Sequence, residues 1–264
     1  MSRIYTALIA IPVFVALTWL GGWAFVGFIA VIALAGQREA FALFAADGVR
    51  PGNLAGFLAG LAMVFAPAWT PALWVIAPLG IVSLAWFLFR APGGQPLSVL
   101  GGSLFGIVYP CAFLASLVLI RLGGVDAAWE PFPVTMGLVV LMWVGDTAAY
   151  YAGRTFGRHK LAPTLSPKKT WEGAIGGGLG ALAGAALFAT VWSGGLALVH
   201  WLVLGGIVAF AGPPGDLFES ALKRAAGTKD SASILPGHGG VLDRFDALIF
   251  VAPLAAAYLF GIVG

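Results

Sequence analysis

The run L-A-L-V-H-W-L-V-L-G-G-I-V-A-F-A-G-P-P, Leu196 to Pro214, contains no Asp, Glu, Lys or Arg. One glycine later it gives way to D-L-F-E-S-A-L-K-R-A-A-G-T-K-D-S-A-S-I-L-P-G-H-G-G-V-L-D-R-F-D, Asp216 to Asp246, with four lysines and arginines and five acids. A second apolar run, approximately 244–263, follows at once. In a chain that is only 9% charged, this contrast decides the fold. About 20 apolar residues form an α-helix long enough to cross a hydrocarbon core about 30 Å thick. The polar block between two such runs then belongs at the membrane face.

Working outward, the same pattern covers the whole chain of 264 residues, which is 60% hydrophobic with a mean hydropathy of +0.97. Soluble domains are about half apolar at most. Nine apolar segments stand out, approximately 4–20, 22–35, 53–66, 70–89, 99–120, 133–152, 173–193, 196–214 and 244–263. Even hydrophobicity without alternation argues against a membrane barrel. The expected fold is therefore all-α, a polytopic integral membrane protein of about nine transmembrane helices. Arg3 followed by Ile4 to Leu20 could pass for a secretory signal, but the apolar run is long and no clean cleavage site precedes Gly21-Gly22, so a retained first span is expected. Cys111, the single cysteine, lies within an apolar run and has no intrachain partner.

The basic residues fix an orientation. With nine spans, the N-terminus and the connections after spans 2, 4, 6 and 8 share one side. That side collects Arg3, Arg38, Arg50, Arg90, Arg154, Arg158, Lys160, Lys168, Lys169, Lys223, Arg224, Lys229 and Arg244, which is 13 of the 14 lysines and arginines. Only Arg121 falls opposite. Basic loops stay cytoplasmic, so the N-terminus and the charged connections are expected there, in the inner (cytoplasmic) membrane of the cell.

Two regions differ in character. Residues 1–120 read as a transmembrane scaffold with few polar groups, and residues 121–264 as the catalytic part with cytoplasmic loops. Gln37 to Arg50 reads as a short amphipathic helix lying on the cytoplasmic face as interfacial packing. Gly176-Gly177-Gly178-x-Gly180 and Ala183-Gly184-x-Ala186 would let the seventh span pack closely against its neighbours.

The candidate chemistry lies in the second region. Asp146, in W-V-G-D-T-A-A-Y, is a carboxylate inside a span, which costs on the order of 2.5–3.5 kcal/mol and so faces protein or water. The alternative to a site role is neutralisation by a base such as Arg154. Ser166-Pro167-Lys168-Lys169-Thr170-Trp171-Glu172-Gly173 mixes cations with hydroxyls, a ring and an acid, which suits phosphate oxygens and a flat base better than a smeared lipid field. Gly212-Pro213-Pro214-Gly215 is expected to interrupt the membrane helix. A fresh helix from Asp216 would then place Asp216, Glu219, Ser220 and Lys223 on one face. Asp243 and Asp246 open the last span, where acids are also ordinary helix-start residues. Taken with Asp216 and Asp146 they suggest a shared Mg²⁺ site, since Mg²⁺ uses a few carboxylates and fills its shell with phosphates and water. His238, among glycines that allow close approach to an anion, reads as a phosphate contact. A covalent protein nucleophile is not suggested.

Ser220 to Asp246 resembles the signature of the phosphatidate cytidylyltransferase (CDP-diacylglycerol synthase) family. D-T-A-A-Y-Y-A-G-R at Asp146 and S-P-K-K-T-W-E-G at Ser166 are also similar to that family's segments. Two departures are Pro213-Pro214, in place of an aliphatic pair, and Ala232, where glycine is commonest. The resemblance implies that CTP and phosphatidate give CDP-diacylglycerol and pyrophosphate, with Mg²⁺, in a homodimeric membrane enzyme whose partners are membrane lipids and not nucleic acid. It places metal ligation on Asp216 and Asp243. With Asp246 and Asp146 these would hold one or two cations. Lys223, Arg224, Lys229 and His238 would neutralise the reacting phosphates beside Asp243. Ser166, Lys168, Lys169, Trp171, Glu172, Ser220, Gly239, Gly240 and Arg244 would seat the substrates. A polyprenol-type kinase would release CDP in place of pyrophosphate, and an anion transporter would consume no nucleotide.

Overall fold

A computed structural model describes residues 2–49, 51, 54–76, 78–79, 81–82, 96–124, 127–228, 231–232 and 239–264. Nine helices are seen among them: α1 (Ser2–Leu20), α2 (Gly22–Ala46), α3 (Leu54–Phe65), α4 (Pro96–Ile107), α5 (Phe113–Leu122), α6 (Pro131–Phe156), α7 (Trp171–Val191), α8 (Leu198–Ala225) and α9 (Leu242–Tyr258). A π turn, Val108–Ala112, joins α4 to α5, and another, Leu259–Val263, ends the chain. The first contains Pro110, whose missing N–H shifts the hydrogen-bond ladder by one residue.

Six helical stretches among the described residues are long and apolar enough to cross a membrane, with shorter apolar helices at Leu8–Leu20 and Leu54–Phe65. Of the expected fourth span, 70–89, residues 77, 80 and 83–89 lie outside the described residues. Phe210 is 85% and Trp74 82% exposed, which suits rings facing an apolar solvent and not water.

Three sequence expectations are corrected. α2 does not end near residue 35: Gln37 to Ala46 continue it, and Gln37 and Glu39 are buried, so this segment is no separate interfacial helix. Pro213 and Pro214 do not break the helix, because α8 runs through them to Ala225. Two prolines remove only the N–H groups that would reach the carbonyls of residues 209 and 210, and membrane helices absorb such a loss. The connection after α6 is not an open loop. It forms an antiparallel hairpin of β1 (Lys160–Ala162) and β2 (Ser166–Thr170), with Lys160 opposite Thr170.

The chain divides into two compact units, Met1–Leu119 with Leu222–Phe245, and Ile120–Ala221 with Asp246–Gly264. In the first, Phe25, Ile29, Leu114 and Leu117 are fully buried. Gly36 leaves α2 open to Leu242, since a Cβ there would stand 3.0 Å from Leu242 Cδ2 and 3.2 Å from Pro110 Cβ. Gln37, one residue on, donates to the Gly56 carbonyl at 2.9 Å.

In the second unit, α6 and α7 pack backbone to backbone. A Cβ at Gly177 would meet Ala149 Cβ at 2.9 Å and the Gly145 carbonyl at 3.1 Å, and one at Gly176 or Gly180 would overlap Ala152 or Ala148. The close packing expected of the glycine run is present, and dispersion across such an interface is what holds helices together in lipid. Trp201 of α8 is fully buried, with its ring against Gly137 and its indole N–H donating to the Ser193 carbonyl at 2.8 Å.

Candidate active site

Within the first unit, the site residues gather on Asp243. α8 closes with Thr228 N–H donating to the Lys223 carbonyl at 2.8 Å and with Gly227 at φ +67°, a conformation natural to glycine. Lys223 Nζ then reaches Asp243 Oδ1 at 2.5 Å, and both side chains are largely covered. Asp243 Oδ2 accepts from Gly240 N–H at 2.7 Å, Ser231 Oγ at 3.1 Å and Ser231 N–H at 3.3 Å. The Gly240 contact satisfies a backbone N–H just before α9, so Asp243 does the ordinary work of a helix start as well. Gly239 has φ +80°, and a Cβ there would stand 2.6 Å from Asp243 Oδ2.

Glu39 is the residue that sequence reasoning missed. It lies on α2, is buried, and accepts from Val241 N–H at 2.7 Å, Leu242 N–H at 2.9 Å and Ser231 Oγ at 2.7 Å. The only signal available was an acid on a helix one turn after Gly36.

Of the remaining expected residues of this unit, the two described ones are exposed. Arg224 is exposed and donates to the Thr228 carbonyl at 3.2 Å. Arg244 is exposed on the first turn of α9. Lys229 and His238 lie outside the described residues.

Within the second unit, the α6–α7 packing brings Asp146, the hairpin and the end of α8 into electrostatic reach. Thr170 caps α7, its Oγ1 accepting from Gly173 N–H at 3.1 Å. Lys169, just before the cap, forms an ion pair with Asp216 of α8. The charges of Asp216 and Lys169 both act on Asp146. Arg154, the base considered as its neutraliser, donates to the Tyr150 hydroxyl at 3.2 Å. Ser220 Oγ lies 3.5 Å from Asp216 Oδ1. Gly215 lets α8 approach α9: a Cβ there would stand 2.7 Å from the Asp246 carbonyl. Asp246 Oδ1 accepts from Ala247 N–H at 2.7 Å.

Strand geometry separates the two adjacent lysines. Successive side chains alternate faces, and Lys169 turns to Asp216 while Lys168 is exposed. Ser166 begins β2. Trp171 is exposed at the head of α7, and Glu172 is bound by His159, whose Nδ1 lies 2.7 Å from Glu172 Oε1 and whose N–H donates at 3.2 Å.

Among the described residues no three His, Cys, Asp or Glu side chains form a group able to hold a metal. Within the second unit, Asp146, Asp216 and Ser220 offer oxygen alone, the donor type that a hard cation takes.

Residues 1–262 match the cytidylyltransferase family. The chain is 37% identical to a phosphatidate cytidylyltransferase of Brucella suis, covering 99% of this chain and 93% of the relative. It is 32% identical to those of Synechocystis sp., covering 96% and 94%, and of Staphylococcus aureus, covering 96% of each.

The chain belongs to the cytidylyltransferase family.

Membership makes it a nucleotidyltransferase, and with its apolar helices a multi-pass membrane protein. The family's match spans both units, including α2 and Glu39.

Proposed function

We propose that the protein transfers a cytidylyl group from CTP to phosphatidate, giving CDP-diacylglycerol and pyrophosphate for phospholipid synthesis. The observation that carries this reading is near full-length similarity to phosphatidate cytidylyltransferases from three organisms. The signature block supports it, being folded around Asp243 with lysine and backbone N–H donors.

A phosphatidate oxygen attacks the α-phosphorus of CTP, and the bond from that phosphorus to the bridging oxygen breaks as pyrophosphate leaves. The nucleophile is already an anion, so the protein needs no covalent intermediate. It must align the lipid phosphate and offset charge that builds on the leaving group. Lys223 and Lys169 are paired with Asp243 and Asp216, and Arg224, Lys229 and His238 are assigned to the phosphates. Ser166, Lys168, Trp171, Ser220 and Arg244 are assigned to seating CTP and lipid. Asp216 and Asp243, with Asp246 and Asp146, are the proposed carboxylates for Mg²⁺, which when bound neutralises the CTP phosphates. The basic connections support a cytoplasmic position for this face.

Purified protein in detergent, given CTP, phosphatidate and Mg²⁺, should yield pyrophosphate and lipid-linked CMP in equal amounts. Production of CDP with a phosphorylated lipid alcohol, seen only when a polyprenol is supplied, would refute the reading.

A further inference from the structure

Glu39 is 1% exposed, and acidic side chains are almost never buried to that degree without dedicated partners. Its partners are three donors at 2.7–2.9 Å, all from the block that contains Asp243. The first N–H groups of a helix have no partner within it. At the start of α9, the N–H of Leu242 and that of Val241 just before it go to Glu39, while that of Gly240 goes to Asp243. Ser231 Oγ stands between the two carboxylates, 2.7 Å from Glu39 and 3.1 Å from Asp243, with a single proton to share. A side chain at residue 240 would collide with Ser231 Oγ and the Glu39 carboxylate. The second glycine of the H-G-G turn is thus the space that Glu39 uses.

We propose that Glu39 is a positioning residue for the reaction, holding the Gly240–Asp243 turn and through it the Asp243 carboxylate in working geometry; this rests on the cytidylyl-transfer reading. Glu39 touches no substrate in this account. It acts on the orientation of Asp243 and on the start of α9. Gly36, one turn before it, seats Leu242, so α2 grips the turn by shape and by hydrogen bonds together.

The test compares the detergent-purified chain as wild type, Glu39→Gln and Gln37→Ala, with CTP and phosphatidate as substrates. Glu39→Gln keeps the size but turns an NH₂ against the Val241 N–H, or against Ser231 and the Leu242 N–H. Its kcat should fall about 10- to 100-fold, the usual effect of losing a group that orients a functional ligand. KM for CTP should change by less than about threefold, because ground-state binding is not the target. Amide hydrogen exchange at Val241 and Leu242 should quicken. Gln37→Ala removes the buried bond to Gly56 on the same helix, so its melting temperature should fall while kcat holds. An unchanged kcat in Glu39→Gln overturns the proposal. So does an equal fall in Gln37→Ala at matched loss of stability. A wild type that releases no pyrophosphate removes the transfer reading instead. In that event faster exchange in Glu39→Gln upholds the hold on the turn, and unchanged exchange removes it too.

Discussion

Lys169–Asp216 and Lys223–Asp243 are one chemical pair in two settings. The side chains of the first are 26% and 43% exposed, and those of the second 13% and 8%. Asp243 accepts from Ser231 and Gly240 in addition to its lysine, whereas the further hydrogen bond described at Asp216 is a long one from Ser220. Asp243 is built into the start of a helix, and Asp216 is tethered on a helix side. An aspartate committed to structure cannot be replaced without moving backbone, while a tethered one can exchange its lysine for another cation at small cost. Of the two carboxylates in the proposed function, one is therefore rigid and the other adjustable.

The largest effect should come from Asp243→Asn. Removing one partner of a covered ion pair strands the other, at a cost of about 3–5 kcal/mol where burial is complete. The Lys223 side chain is 13% exposed, so about 3 kcal/mol is expected, with turnover lost as well. The melting temperature, followed through the ten tryptophans, and pyrophosphate release check both parts. A wild-type melting curve would show that Asp243 is no structural hub. Asp216→Asn should lower turnover by at least about 10- to 100-fold. Its stability should change by less than about 1 kcal/mol, as for exposed pairs. Equal destabilisation by the two variants would break the contrast.

A third substitution tests what aims Lys169. Gly176→Val would drive side-chain atoms into Ala152 across the α6–α7 contact, costing about 1–3 kcal/mol and displacing the head of α7. Gly206→Ala is the control, since no atom lies within 4 Å of its Cβ, and it should be neutral. Retained activity in Gly176→Val despite a lowered melting temperature would mean that helix packing does not carry the site.

The sequence made the helices legible because hydropathy is a local quantity: α6, α7 and α9 fall within a few residues of the expected spans. Glycine spacing likewise foretold close packing of the seventh span, which the structure shows against α6. Glu39 was hidden because its meaning comes from partners 192 to 203 residues away. Its own neighbourhood, Q-R-E-A-F, reads as a wet helix face. Pro213-Pro214 misled because a rule calibrated on water-soluble helices overstates the effect of proline in lipid. The hairpin was hidden for another reason. Its strands are three and five residues long, too short for alternation to register against so many lysines.

That hairpin supplies the smallest expected effect. Lys168 and Lys169 look equivalent in sequence and were both expected to seat nucleotide, yet a strand points neighbours to opposite faces. Lys169→Gln should remove the Asp216 pair and cost under about 1 kcal/mol. The loss should shrink with added salt, since the screening length falls from about 10 Å at 0.1 M to about 3 Å at 1 M. Lys168→Gln should leave the melting temperature alone at every salt concentration, because its side chain is exposed on the other face. Melting curves across a salt series separate the two. The same salt-dependent loss in both variants would mean that the hairpin presents both lysines to the carboxylate, and the adjustable half of the comparison would then rest on net positive charge and not on register.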